Sequence, residues 1–230
     1  HSIPLIGGYG YDIVQPENEA TGINDSGVVV GWSHAGPRER PADDPFYSIN
    51  FGPKHAFIWE DYNGDQHPDY EEILDLGKSE KLTSPNYAYK INNEGLIVGS
   101  MGSSNTRGFT FQDKNHNQAV DEGEIEILPT LNAAMDCYQA LSVNNKGIIG
   151  GVAWSSENIL DKKALIWMEG KPILLNDCVD KADQEQIRST PSISDQNWIL
   201  CTVSYESYAI DYHKVLIPVE SSFSNFDAFR

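Results

Sequence analysis

The stretch ATGINDSGVVVGWS, residues 20–33, contains the pattern that decides the fold. A short alternating segment ends at Asn24, a turn closes at Gly27, and a β-branched segment follows at once. Only glycine, or less readily asparagine, accepts the positive φ of such a tight turn. The stretch therefore predicts a β-hairpin.

The same pattern occurs three more times, as AYKINNEGLIVGSM (88–101), ALSVNNKGIIGGVA (140–153) and TPSISDQNWILCTV (190–203). The equivalent apolar positions Ile23, Ile91, Val143 and Ile193 are separated by 68, 52 and 50 residues. Self-similarity at periods of this length is typical of repeat architectures. The fourth stretch has asparagine, at Asn197, where the others have glycine, which suits the same positive φ.

A second shared element follows each hairpin: HAFIW (55–59), RGFTF (107–111), KALIW (163–167) and a weaker YAIDY (208–212). The first three are followed by a further apolar segment, so that each unit resembles four short antiparallel strands. Helical periodicity occurs only in residues 180–187. Repeated four-stranded units predict an all-β fold, a four-bladed β-propeller. We expect one domain, 1–230, with units near 9–77, 78–130, 131–178 and 179–220.

Ring closure is a separate prediction. The segment YAIDYHKVLIPVE (208–220) offers only His213-Lys214 as a turn, which lacks the residues that hairpins prefer, so it predicts one long strand. The N-terminal IPLIGG (3–8) then supplies the missing strand of the last blade. The alternative is a free N-terminal strand and a poor hairpin at His213.

These patterns resemble the HAF-type extracellular repeat family, which is named for the element that stands here at residues 55–59. The residues that match the surrounding family pattern are Leu5, Gly7, Gly8, Ala20, Ile23, Asn24, Gly27, Val29, Val30, Gly31 and Ser33. The fourth unit departs from it at Cys201 and Asp211. The resemblance implies a secreted or cell-surface repeat protein and implies no catalytic residues.

Two twelve-residue stretches carry oxygen-bearing side chains at positions 1, 3, 5, 9 and 12: DYNGDQHPDYEE (loop 1, residues 61–72) and DKNHNQAVDEGE (loop 2, residues 113–124). Calcium takes about six to eight oxygens, and a twelve-residue loop supplies them from these positions and from the carbonyl at position 7. The predicted ligands are Asp61, Asn63, Asp65, His67 (carbonyl), Asp69 and Glu72 in loop 1, and Asp113, Asn115, Asn117, Ala119 (carbonyl), Asp121 and Glu124 in loop 2. We expect two structural Ca²⁺ sites, on the same face as the Asn-x-x-Gly turns.

Two features qualify this prediction. Gln66 and Gln118 stand at position 6, where an EF-hand loop has the glycine of its sharp turn, and no helices flank either loop. The alternative interpretation is an acidic, solvated hairpin loop. If both loops bind calcium, loop 2 should be the weaker, because it has three carboxylates against four in loop 1.

The long insertion 33–54 is predicted to lie on the opposite face, because it joins second and third strands. A long loop without regular structure is either functional or disordered. The candidate ligand-binding residues are Arg38, Arg40, Asp43, Asp44 and Tyr47, with Trp32 and Trp154 as stacking platforms. The alternative for tryptophans is a place in the core, which we expect for Trp59 and Trp167.

Composition limits the partners. Asp and Glu outnumber Lys and Arg by 34 to 16, a formal net charge of -18, so the surface repels nucleic acid. No apolar stretch is long enough to cross a membrane. The three cysteines show no zinc or redox spacing. In an exported protein, one disulfide and one buried thiol are an open alternative, with Cys137 and Cys178 as the favoured pair.

We therefore predict a monomeric, secreted, calcium-binding module for an unidentified protein or glycan. Two alternatives stay open. One is a glycan-acting hydrolase that uses the face of residues 33–54, with Asp43 or Asp44 in its chemistry. The other is a purely structural repeat of a surface assembly.

Overall fold

The computed structural model describes residues 17–35, 52–179, 185–205 and 208–216. These residues form an all-β structure of four antiparallel sheets. The first sheet contains β1 (Asn18–Ile23), β2 (Val29–His34), β3 (Lys54–Trp59) and β4 (Ile73–Asp75). The second contains β5 (Asn86–Ile91), β6 (Ile97–Met101), β7 (Arg107–Phe111) and β8 (Ile125–Ile127). The third contains β9 (Cys137–Val143), β10 (Ile149–Ser155), β11 (Asn158–Met168) and β12 (Lys171–Leu174), and the fourth β13 (Glu185–Ile193), β14 (Ile199–Tyr205) and β15 (Tyr208–Leu216).

Each sheet is a meander in which neighbouring strands follow one another in the chain. The predicted hairpin turns are confirmed: φ is 85° at Gly27, 75° at Gly95, 75° at Gly147 and 63° at Asn197. Helix is limited to three short 3₁₀ turns in the described residues, at Tyr70–Glu72, Leu76–Lys78 and Leu175–Asp177. Residues 185–187, where the sequence left a helix open, belong to β13.

The sheets pack face to face in chain order, and each successive pair encloses an apolar cluster. The pairs of buried residues that illustrate this are Val30 with Phe111, Val98 with Trp167, and Ile166 with Ile199. Burial of such side chains is the main favourable contribution to folding. The stacked sheets therefore share a continuous series of cores.

A ladder of asparagine side chains joins the hairpin turns of successive sheets. Asn24 Nδ2 donates to the Asn92 carbonyl at 3.3 Å, Asn92 Nδ2 to the Asn144 carbonyl at 2.9 Å, and Asn144 Nδ2 to the Ser194 carbonyl at 3.0 Å. Each of these amides also uses its oxygen to accept from the N–H groups of its own turn. One residue type thus shapes the turn and fixes its place against the next sheet.

The fourth sheet has three described strands. β15 is a single strand that pairs with β14 along its length, so the predicted hairpin alternative at His213 is wrong and the long strand is confirmed. Residues 3–8, the predicted closing strand, lie outside the described residues. Among the described residues, no strand of the fourth sheet packs extensively on the first sheet, and a closed ring is not shown.

All three cysteines are free and buried, so the expected pairing of Cys137 with Cys178 is wrong. Cys137 begins the first strand of the third sheet, whereas Cys178 follows the fourth strand of that sheet. Strands lie about 4.8 Å apart, and a disulfide needs Cα atoms within about 7 Å. Burial raises the pKa of the Cys201 thiol to about 12, which keeps it protonated.

Candidate functional site

Loops 1 and 2 leave their sheets at the same end as the asparagine turns. In the first sheet Val29, just after the turn, is paired with Trp59, just before loop 1. In the second sheet Ile97 is paired with Phe111 in the same way. The predicted placement of both loops on the face of the Asn-x-x-Gly turns is therefore confirmed.

Loop 1 is wound around its own side-chain oxygens. Asp61 Oδ1 accepts from the Gly64 N–H at 2.8 Å, and Asp61 Oδ2 accepts from the Gln66 N–H at 3.1 Å. Asn63 Oδ1 accepts from the Asp65 N–H at 2.8 Å, and Asp65 Oδ1 accepts from the His67 N–H at 2.7 Å. The side chains at positions 1, 3 and 5 thus all turn toward the inside of the loop.

Loop 2 repeats this arrangement. Asp113 Oδ2 accepts from the Gln118 N–H at 2.9 Å, Asn115 Oδ1 from the Asn117 N–H at 3.1 Å, and Asn117 Oδ1 from the Ala119 N–H at 3.0 Å. These are the same donor and acceptor positions as in loop 1. Two sequences that share the oxygen-bearing positions and the glutamine at position 6, but differ elsewhere, therefore follow a common path.

The backbone at positions 4 and 6 explains how that path is made. The φ angle is 72° at Gly64 and 56° at His116 in position 4, and 60° at Gln66 and 62° at Gln118 in position 6. Position 6 is where the sequence departs from the EF-hand pattern, yet both glutamines adopt the left-handed conformation that glycine would take more easily. Glutamine in place of glycine at position 6 therefore keeps the left-handed conformation, at the cost of backbone strain.

Loop 1 ends at a buried carboxylate that is only half satisfied. Glu72 is 4% exposed, and its Oε2 accepts from the Asp69 N–H and from the Trp59 indole N–H, both at 3.1 Å. Its Oε1 is buried without a hydrogen-bond partner in the described structure. A buried polar atom without a partner costs about 1–3 kcal/mol. This oxygen is available to a ligand that enters the loop.

Loop 2 ends at a carboxylate that is fully satisfied. Glu124 is also 4% exposed, but its Oε1 accepts from the Lys114 N–H at 3.0 Å and its Oε2 from the Asp121 N–H at 2.8 Å. Asp121 Oδ2 in turn accepts from the side-chain amides of Asn115 and Asn117, each at 2.7 Å. Loop 2 therefore uses internal hydrogen bonds where loop 1 leaves an oxygen open.

In the part of the chain that the structure describes, no three His, Cys, Asp or Glu side chains are grouped closely enough to hold a metal ion as they stand. The loop carboxylates instead accept hydrogen bonds from the loops' own N–H groups. A calcium ligand set here would need asparagine and carbonyl oxygens in addition to carboxylates, as calcium loops commonly do.

The two loops lie beside each other. The pKa of Tyr62, in loop 1, is raised to about 12, mainly by burial and then by the nearby carboxylates of Glu60, Asp113 and Glu72. Asp113 belongs to loop 2 and acts on Tyr62 across the boundary between the first two sheets. Loops that are 52 residues apart in sequence thus contribute to one electrostatic environment.

A cleft of about 530 Å³ lies between the first two sheets at this end of the molecule. Its walls include Glu60 and Tyr62 from the first sheet side, and Glu94, Asp113 and His116 from the second. The cleft therefore reaches from the asparagine turns to both acidic loops.

The two predicted stacking platforms lie elsewhere, toward the second-to-third strand connections. Trp32 is half-buried, its indole N–H donates to Glu19 Oε2 at 3.2 Å, and Lys54 Nζ lies 4.0 Å from its ring centroid. Trp154 is also half-buried, with Lys162 Nζ 5.8 Å from its ring centroid. In each case a lysine already lies over the indole.

The remaining predicted ligand-binding residues lie outside the described residues. They are Arg38, Arg40, Asp43, Asp44 and Tyr47. Of the tryptophans expected in the core, Trp167 is buried as predicted. Trp59 is half-buried, and its indole N–H donates a hydrogen bond to Glu72 at the end of loop 1.

No family model, curated protein or solved structure matches this chain. The resemblance to HAF-type repeats accordingly stays a prediction. None of the described residues forms a helix of the length and apolar character that crossing a membrane requires.

Sequence reasoning missed the cleft and the residues around it, Glu60, Tyr62 and Glu94. Their signal was weak, because an acidic or aromatic residue beside an acidic loop is unremarkable in so acidic a chain. The hydrogen bond from Trp59 to Glu72 was also missed, although an indole at the end of the strand that enters an acidic loop could have suggested it.

Proposed function

We propose that this protein is a calcium-stabilised β-propeller that acts outside the cell as a binding module for a protein or a glycan. Its two structural Ca²⁺ ions would be held by the oxygens of loops 1 and 2. The observation that carries the proposal is the shared path of the two loops, which turns equivalent oxygens inward although the sequences differ.

The open Glu72 oxygen supports a cation in loop 1. A carboxylate that is buried with one oxygen unpartnered is costly to keep in a protein without a counter-charge. A hard dication accepts such an oxygen directly, and position 12 is the place from which twelve-residue calcium loops donate a bidentate glutamate. Calcium would thus supply a partner for the buried Glu72 Oε1, which has no hydrogen-bond partner in the described structure.

Calcium would also reduce repulsion between the loops. Asp113 acts on the same tyrosine as Glu60 and Glu72, so negative charge from two loops is concentrated at one end of the molecule. Neutralisation by cations would order both loops, and binding to the folded state alone raises stability by mass action.

The propeller ring is part of the proposal. The asparagine ladder advances from each of the first three sheets to the next in the same manner. We propose that residues 3–8 add the fourth strand to the fourth sheet and close the ring, which leaves a monomer without exposed sheet edges at that point. Secretion or surface display follows from the family resemblance.

Calorimetric titration of metal-stripped protein with CaCl₂ tests the function. We expect two binding events, one abolished by Asp61→Ala and the other by Asp113→Ala, together with a higher melting temperature in calcium than in chelator. No heat and no change in melting temperature would contradict the proposal and would make both stretches acidic hairpin loops.

A further inference from the structure

The cleft between the first two sheets combines an apolar floor with an acidic rim. The floor is formed by the side chains of Ile58, Leu74, Ile97 and Phe111. Its volume of about 530 Å³ falls within the range of about 300–1,000 Å³ that small-molecule sites occupy. Most of the other lining residues are polar or charged, so the apolar surface is confined to the floor of the cleft.

Two carboxylates of the rim have no cation of their own. Glu60 directly follows β3, Glu94 lies in the asparagine turn of the second sheet, and both line the cleft. Neither forms an ion pair with any described residue within 4.0 Å. The cleft is therefore negative at its edge in a protein that is already strongly acidic.

Lys114, the lysine on the cleft wall, does not form an ion pair with Glu60 or Glu94. Lys114 Nζ donates to the Gly123 carbonyl at 2.8 Å and lies 3.4 Å from Glu126 Oε1. Its ammonium group is thus engaged by loop 2 and by the segment after it. The other basic side chain on the wall is His116, which is exposed in position 4 of loop 2.

We propose that this cleft binds a small organic cation, in which an apolar body rests on the floor and an ammonium group faces Glu60 and Glu94. The apolar body gains the hydrophobic contribution of the floor. The ammonium group gains charge-assisted contacts that a neutral or anionic molecule of the same shape does not.

This inference does not rest on calcium. Glu60 and Glu94 belong to neither proposed ligand set, so their carboxylates stay available whether or not the loops hold metal. Binding of an amine in metal-stripped protein would stand even if the calorimetric titration with calcium failed, and the reverse also holds.

The test compares three probes of one shape: phenethylammonium, neutral 2-phenylethanol and anionic 3-phenylpropionate. Each is titrated into ¹⁵N-labelled full-length protein, in chelator and again in calcium, with the amide signal of the cleft residue Gly95 as the local reporter. We expect saturable shifts with phenethylammonium and weaker binding of the two others. Glu60→Gln and Glu94→Gln should each weaken amine binding about two- to fivefold, the range of a partly exposed charge pair.

The matched control is Glu157→Gln, which removes the same charge from the exposed turn between β10 and β11 in the third sheet. It should leave amine binding unchanged. Equal affinity for all three probes would overturn the proposal, because charge would then play no part. Equal weakening by Glu157→Gln would also overturn it, because the amine would then respond only to the overall field of the protein.

Discussion

Loops 1 and 2 have the same length, the same oxygen positions and the same backbone path, but they satisfy their terminal glutamates differently. Glu72 leaves Oε1 without a partner, whereas both oxygens of Glu124 accept backbone N–H bonds. Loop 2 also ties Asp121 to two asparagine amides. Loop 2 thus satisfies its terminal carboxylate internally, whereas loop 1 leaves one buried carboxylate oxygen without a partner.

If the loops bind calcium as proposed, this difference predicts that the number of carboxylates is not the only determinant of their affinity for it. The sequence predicts a weaker loop 2 from three carboxylates against four. The structure supplies a second reason in the same direction, because a cation in loop 2 must replace hydrogen bonds that already exist. Single substitutions can separate the two reasons.

The largest expected effect is on the stability of metal-free protein. Glu124→Gln places an amide nitrogen against the N–H of Lys114 or Asp121 and should lower the free energy of unfolding by about 1–3 kcal/mol. Glu72→Gln keeps an oxygen for Asp69 and Trp59 and removes a half-satisfied buried charge, so it should change stability by less than about 1 kcal/mol. Urea unfolding in chelator measures both.

The pair of variants serves as its own control, because the chemical change is identical and both glutamates are 4% exposed. A larger loss of stability for Glu72→Gln than for Glu124→Gln would contradict the conclusion that only loop 2 satisfies its terminal glutamate. It would mean that the open oxygen of Glu72 is satisfied in solution.

The next effect is on calcium affinity. Asn117→Asp gives loop 2 the same number of carboxylates as loop 1, and it replaces the bond from Asn117 Nδ2 to Asp121 with repulsion between two carboxylates. Calcium binding to loop 2 should tighten about tenfold, which corresponds to about 1.4 kcal/mol. Calorimetry in the Asp61→Ala background isolates this site.

Asn115→Asp in the same background is a useful comparison, because Asn115 also donates to Asp121 and position 3 is also a predicted ligand. We expect a similar gain. If neither substitution tightens binding, carboxylate number does not set affinity in loop 2.

The smallest effect concerns the left-handed residues. Gln66→Gly and Gln118→Gly should each raise the free energy of unfolding by about 0.5–1 kcal/mol, because glycine adopts a φ near 60° without the strain of a side chain. Thermal unfolding in calcium detects the change. Gly64→Ala, at a φ of 72°, should lower stability and is the opposite control.

Equal gains at Gln66 and Gln118 would sharpen the conclusion that the loops share one path. A loss of stability at either position would show that its glutamine side chain makes a compensating contact. The loops would then share their oxygen positions but differ in what stabilises the left-handed residue.

The sequence predicted the features that depend on a few neighbouring residues. The hairpin at Gly27 needs only a positive φ and two flanking strands, and the same is true of the fourth turn at Asn197. The single strand β15 was also predictable, since His213 and Lys214 provide no turn chemistry. The expected disulfide was wrong because Cys137 and Cys178 lie at opposite edges of the third sheet, and the sequence does not give the distance between them.

What the sequence by itself determined was the all-β class, the four hairpins, and the places where acidic loops interrupt the third-to-fourth strand connections. These follow from side-chain periodicity and from backbone conformations that only certain residues tolerate. What only the tertiary structure decided was that Tyr62 meets the field of Asp113, that Trp59 binds Glu72, and that two sheets enclose a cleft with Glu60 and Glu94 on its rim. The physical reason is that such contacts depend on how separately formed sheets stack, and stacking is set by the fit of whole faces, which no local pattern contains.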